Sequence, residues 1–173
     1  MRLLSLLIIM LIGCGGVPKN ITPVDNFEVT RYLGVWYEIA RLDHRFERGL
    51  TNVTAEYRLD SDGSIIVINR GFDPKRDQWR MVKGKARFAS TPDIGRLKVS
   101  FFWPFYGAYN IFHLDQENYS YALVCGSSRS YFWILARTRE IDQEIKDYLI
   151  QIARDNGFDT DQLIFVSHEK KGS

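Results

Sequence analysis

The chain has 173 residues, of which 45% are hydrophobic and 14% aromatic, and a formal net charge of +2. That length and apolar content suit one ordinary domain with a real core. The near-neutral balance, with no basic run beyond Lys170-Lys171, argues against nucleic acid as the main partner. Arg2 is followed by an apolar run over positions 3–12 whose one polar residue is Ser5. This is the charged-then-apolar layout of a secretory signal. Ten helical residues cover about 15 Å, too little for a bilayer core about 30 Å thick. The run ends at Leu11-Ile12-Gly13-Cys14. The expected organisation is a signal peptide over 1–13, a polar tether over 14–26 with Pro18 and Pro23, and one domain over 27–173.

From Gly34 onward, short β-branched and apolar runs are broken by turn residues every eight to twelve positions, the spacing of an all-β barrel or sandwich. Strands are expected over 34–42, 52–59, 65–72, 78–88, 95–101, 109–114, 121–125 and 131–137. Asp60-Ser61-Asp62-Gly63, Asp73-Pro74, Thr91-Pro92-Asp93 and Gly126-Ser127-Ser128 supply turns between them. Alternation gives each strand a wet and a dry face: Val53, Ala55 and Tyr57 oppose Thr54, Glu56 and Arg58, and Gly84, Ala86 and Phe88 oppose Lys83 and Lys85. The period then changes. Ile141, Ile145, Tyr148, Leu149 and Ile152 share one helical face, Glu140, Asp142 and Glu144 favour its N-terminal end, and Gly157 stops it. A short last strand follows over 163–166.

In an up-and-down barrel of these strands, Trp36 opens the first, Asp115 closes the sixth and Arg137 closes the eighth, so all three lie at one end. An arginine laid on an indole there is worth about 0.5–2 kcal/mol and plugs that end. The other end carries the loop Phe102-Trp103-Pro104-Phe105-Tyr106, joined by Phe46 and Leu50 from the loop after the first strand. Such a rim either admits an apolar ligand or rests on a membrane, or its rings fold back as a cap. Self-association through it into a homodimer stays open.

An eight-stranded barrel holds one small ligand. The expected lining is Val53, Ala55, Tyr57, Ala86, Phe88, Leu97 and Val99 with Ala40 and Trp133, where Ala55, Gly84 and Ala86 leave space. Glu38, Tyr109, His113 and Tyr121 are the inward polar candidates, either orienting a headgroup or bonding internally. Burying about fourteen methylenes at ~0.8 kcal/mol each gives on the order of 10 kcal/mol gross, reduced by ordering costs. His44, His113 and His168 lack metal-ligand spacing, and no phosphate loop, Gly-x-Ser-x-Gly or paired-cysteine motif occurs. No catalytic residue, metal or cofactor is assigned. An enzyme acting through Cys125 and a structural barrel filled by its own side chains are the alternatives.

The tetrad ending at Cys14 resembles the lipobox of bacterial lipoproteins. The resemblance implies cleavage before Cys14 and lipid on its sulfur and new amine. Gly15, in place of aspartate, implies outer-membrane sorting, and the anchor implies the periplasmic face. With Cys14 lipidated, Cys125 has no disulfide partner; without lipid, a Cys14–Cys125 bridge is open. Gly34-Val35-Trp36, Asp115 and Arg137 are similar to the three ordered motifs of the lipocalin family, whose second motif is flanked here by Leu114 and Gln116. Trp36–Ala40, 121–124 and 133–137 place the chain closest to the bacterial outer-membrane lipoprotein branch and its apolipoprotein D-like members. The resemblance implies an eight-stranded antiparallel up-and-down barrel with an external C-terminal helix and a ninth strand. It also implies a fatty acid or lysophospholipid as ligand.

Overall fold

The computed structural model describes residues 16–169; the expected signal segment, Cys14 and residues 170–173 lie outside the described residues. Eight antiparallel strands follow in order: β1 (Gly34–Arg41), β2 (Thr51–Leu59), β3 (Ile65–Asp73), β4 (Gln78–Phe88), β5 (Arg96–Phe102), β6 (Phe105–Leu114), β7 (Tyr121–Cys125) and β8 (Phe132–Ala136). Each pairs with its chain neighbours, and β1 pairs with both β2 and β8, closing the barrel. A short helix, α1 (Val29–Tyr32), precedes β1, and α2 (Gln143–Asp155) follows β8.

Two apolar clusters divide the core. Inside the barrel lie Trp36, Tyr57, Ile65, Val67, Ala86, Leu97, Ile111, Ala122, Val124 and Leu135. Outside it, Leu123, Cys125, Phe132, Ile134 and Ala136 face Leu149 and Ala153 of α2. The strands of that wall are buried on both sides, so β7 and β8 read as unbroken apolar runs where β2 alternates. Gly157, at φ +80°, ends α2 in the left-handed conformation that glycine adopts without strain.

The mouth half of β1 leaves β2. Tyr37↔Thr54 is the last pair of that ladder, and β9 (Ile164–Phe165) instead pairs with Ala40 and Arg41. Beyond β9 the chain bridges the seam: Val166 N donates to Ile39 O at 3.0 Å, and Asn52 N to Ser167 O at 2.8 Å.

Several expectations change. Residues 16–26, expected as a spacer, dock on the barrel: Val24 N donates to Ile111 O and Gly95 N to Val24 O, both at 2.8 Å, and Ile21 is buried. The expected loop 102–106 is the tip of a hairpin in which Phe102 pairs with Phe105 across Trp103-Pro104. Its rings do not fold back as a cap: Phe102, Trp103 and Phe105 are 71%, 83% and 74% exposed.

A bulge in β1 between Glu38 and Ala40 reverses simple alternation. Ala40 therefore packs in the outer cluster with Ile39, not in the lining, and Arg41 turns inward. A second irregularity between Ile111 and His113 does the same in β6. Tyr121 and His113 are outside, stacked at 6.2 Å, with His113 edge-on to Tyr148 of α2 at 5.6 Å.

The space expected beside Gly84 is taken by Phe101. A Cβ at Gly84 would sit 2.6 Å from Phe101 Cδ1 and 2.6 Å from the Ser100 carbonyl oxygen. Gly84→Ala is expected to destabilise the protein by about 1–3 kcal/mol through this overpacking, read as a lower urea midpoint with unchanged slope.

Candidate functional site

The base of the barrel is sealed as the motif positions require. Gly34 takes φ +96°, and a Cβ there would lie 3.4 Å from Arg137 Nη1. Two residues on, Trp36 is fully buried, its Nε1 donating to Tyr32 O at 2.8 Å. The Arg137 guanidinium lies 4.0 Å above the Trp36 ring. It donates to Tyr119 O at 3.2 Å, Val35 O at 3.1 Å and Arg31 O at 2.7 Å, tying together the β6–β7 turn, β1 and α1. Asp115 acts one step away: its carboxylate accepts from Asn118 N and Ser120 N, fixing the turn that presents Tyr119 O.

Above this plug is a chain of hydroxyls. Tyr109 Oη lies 2.7 Å from both Tyr32 Oη and Tyr57 Oη. Burial pushes all three phenols well up from their ordinary range, so they stay neutral. Ala55, Ala86, Phe88, Leu97, Val99, Tyr109 and Trp133 lie in or against the interior cluster. Val53 is also buried, its Cγ2 3.3 Å from where a Gly71 Cβ would stand.

Toward the mouth the interior becomes charged. Arg41 Nη1 donates to Glu38 Oε1 at 2.6 Å, and these side chains are 1% and 4% exposed. Arg41 Nη2 reaches into the β1–β2 loop, donating to Glu47 O at 2.8 Å and Leu50 O at 3.4 Å. Glu47 Oε2 in turn accepts from Trp133 Nε1 at 3.1 Å and lies 3.0 Å from His44 Nε2. Arg41 Nε and His44 Nδ1 are buried without a hydrogen-bond partner among the described residues. Burial, then the adjacent Glu47 carboxylate, pushes the Glu38 pKa well up despite Arg41. Burial would raise Glu47 too, but hydrogen bonds from His44 and Trp133 outweigh it and hold the group below the usual range. Two carboxyls and one guanidinium in a dry site thus favour a retained proton on Glu38.

Glu38 was expected to face inward and does; Arg41, Glu47, His44 and Tyr32 were not anticipated. The bulge hides Arg41 from any alternation argument, and the others sit in a loop and a four-residue helix with no periodicity to read.

A group whose folded pKa is raised stabilises the fold at low pH, and that stability is lost as pH rises through the folded value. Glu38→Gln keeps an acceptor for Arg41 but cannot ionise. The variant should therefore gain on the parent as pH rises above about 4.3, the ordinary glutamate value. The limiting slope is about 1.4 kcal/mol per pH unit for one proton. Denaturant titrations from pH 4 to 8 measure this (pH values of the order usual for a glutamate); parallel curves for the two proteins would refute a raised Glu38.

Cys125 is buried and unpaired among the described residues, and burial pushes its thiol up to about 12. Such a thiol supplies almost no thiolate near neutrality.

A sealed eight-stranded barrel with an apolar interior, an indole–guanidinium base and an external C-terminal helix defines a lipocalin. Residues 27–168 match the lipocalin-like domain family, and the chain belongs to it. The outer membrane lipoprotein Blc of Vibrio cholerae serotype O1 is 50% identical over 161 residues, covering 93% of this chain and 94% of that protein. Apolipoprotein D of Macaca fascicularis is 32% identical over 152 residues, covering 84% and 79%. Insecticyanin from the tobacco hornworm Manduca sexta shares the fold, with a TM-score of 0.73 at 18% identity over 90% of this chain and 88% of that one. The chain is a lipocalin-type binding protein rather than an enzyme, and an outer-membrane, lipid-anchored one.

Proposed function

We propose that this protein binds fatty acids or lysophospholipids and stores or carries them at the bacterial envelope, tethered by lipid on Cys14 at the periplasmic face of the outer membrane. One observation carries the reading: the apolar interior is plugged at its base, and the opposite end bears an exposed aromatic rim beside a buried charged network. Phe46, Phe102, Trp103, Phe105 and Tyr106 are all exposed at that end. Rings in such number suit the boundary of a bilayer, where an acyl chain leaves hydrocarbon for another apolar surround. Val53, Ala55, Tyr57, Ala86, Phe88, Leu97, Val99 and Trp133 provide that surround. The Glu38–Arg41–Glu47 network and the Tyr109 hydroxyl are the polar groups available to a headgroup or a carboxylate. The relatives' names, outer membrane lipoprotein and apolipoprotein, agree with a lipid-associated role.

Mass spectrometry of the native protein extracted from membranes should show a lipidated Cys14 together with released fatty acid or lysophospholipid. Delipidated, folded protein should quench its tryptophan emission when lysophospholipid is titrated in. Absence of both released lipid and quenching overturns the carrier reading in favour of a barrel occupied by its own side chains.

A further inference from the structure

The seam where β1 leaves β2 carries a groove on the outer wall. Its volume is about 420 Å³, and its lining includes Tyr37, Thr54, Arg70, Trp79, Arg139 and His168. Met81 also lines it. The floor is a row across four strands, since Tyr37 pairs with Thr54, Thr54 with Arg70, and Arg70 with Met81. At about 4.8 Å per strand the row is about 14 Å long. It lies on the face opposite the interior lining, because Ala55 and Tyr57 point the other way from Thr54.

Two features make this more than a dent. Trp79 and Met81 are 63% and 66% exposed, at the mouth end of β4. They continue the aromatic rim down one wall. The groove is also one-signed: Arg70 and Arg139 make no ion pair with a carboxylate among the described residues, whereas Arg41, Arg48, Arg58, Arg76, Arg87 and Arg154 each do. The Arg139 guanidinium stands 5.7 Å from the Tyr37 ring, and His168 meets that ring edge-on at 5.6 Å. His168 Nε2 lies 2.7 Å from Glu38 O, which fixes the imidazole at the seam and leaves Nδ1 for another partner.

We propose that this groove binds the anionic phosphodiester headgroup of a membrane phospholipid, with Arg70 and Arg139 on the phosphate and Trp79 and Met81 against the glyceryl and upper acyl carbons. Guanidinia without a carboxylate partner among the described residues are suited to planar, charge-assisted recognition of phosphate. Exposed indole and thioether beside them match a ligand that is charged at one end and apolar at the other. The site is separate from the barrel interior, so it does not depend on what the barrel holds. Occupancy would lay the β1–β4 wall on the bilayer and bring the mouth to its surface.

The test uses full-length protein in non-ionic detergent, following the His168 ring protons by NMR during titration with dihexanoylphosphatidylglycerol, dihexanoylphosphatidylcholine or inorganic phosphate. The anionic lipid should shift His168 saturably and raise its pKa, which burial otherwise holds down. Arg70→Gln/Arg139→Gln should weaken this binding by about tenfold or more, the loss of two charge-assisted contacts. Arg70→Lys/Arg139→Lys keeps the charge but not the planar fork, so it should bind more weakly than the parent and more tightly than the Gln variant, and lysophospholipid quenching should be unchanged in both variants. No shift with the anionic lipid overturns the site. Equal binding of the zwitterionic lipid removes the charge argument and also overturns it. Binding of inorganic phosphate as tight as that of the lipid overturns the lipid assignment.

Discussion

Replacing Arg41 with methionine is expected to destabilise the protein by about 3–5 kcal/mol, the cost of removing the guanidinium from a buried network that still holds the Glu38 and Glu47 carboxyls. Among the described residues the guanidinium is the only cation paired with the Glu38 carboxyl, and it holds the backbone of the β1–β2 loop at Glu47 and Leu50. Its removal leaves two carboxyls buried together and cuts the loop from its internal anchor. Two measurements separate these effects. Urea denaturation reports the loss of stability. Limited trypsin digestion at Arg45 and Arg48 reports loop release, and it should accelerate under conditions where the barrel remains folded. Because an ion pair is costlier half-removed than absent, Glu38→Leu/Arg41→Met should recover much of the lost stability without restoring the protected loop. A double variant as unstable as Arg41→Met alone would show that the cost lies in packing rather than in charge.

Trp36→Ala should cost about 3–5 kcal/mol, the range for emptying a large aromatic site in a core. The indole is fully buried, packs 4.6 Å from the Tyr32 ring, and supplies the face on which Arg137 rests. Arg137→Lys should cost less: an ammonium can keep a carbonyl contact and some attraction to the ring, but it cannot span three carbonyls from one plane. Thermal unfolding of both variants, with near-ultraviolet circular dichroism to follow the indole, measures the pair. A Trp36→Ala protein within 1 kcal/mol of the parent (about one ordinary hydrogen bond) would mean that the base is not a principal source of stability.

What could be read from the residues depended on how far regular periodicity persisted. Gly34, Trp36 and Arg137 are brought together by strand parity alone, so their meeting at one end followed from counting strands. Ala55 and Tyr57, then Ala86 and Phe88, then Leu97 and Val99 face inward because each of those stretches runs without interruption, while Val53 sits at an irregularity between Thr51 and Thr54. The reading failed where a ladder slipped. One extra residue in β1 sent Ala40 outward and Arg41 inward, a slip in β6 placed His113 outside, and Tyr121 lies outside by the regular alternation of β7. A bulge is decided by which side chains the assembled barrel can bury, and no local signal in Glu38-Ile39-Ala40 announces it. Glu47 and His44 reach the network through a loop whose path is set by Arg41, itself hidden by the bulge. The rim residues were identified by their crowding, but the hairpin that projects them required the pairing of Phe102 with Phe105.

The stopper formed by Trp36 and Arg137 fixes the traffic of the barrel. Under the carrier function proposed above, a shut bottom obliges a guest to depart by retracing its arrival, and nothing passes through. On that reading a molecule with a greasy tail and a charged head would go in tail first, leaving its head beside Arg41 and the loop that this arginine secures. That latch, far from the motifs by which such chains are recognised, would then set the pace of loading and unloading.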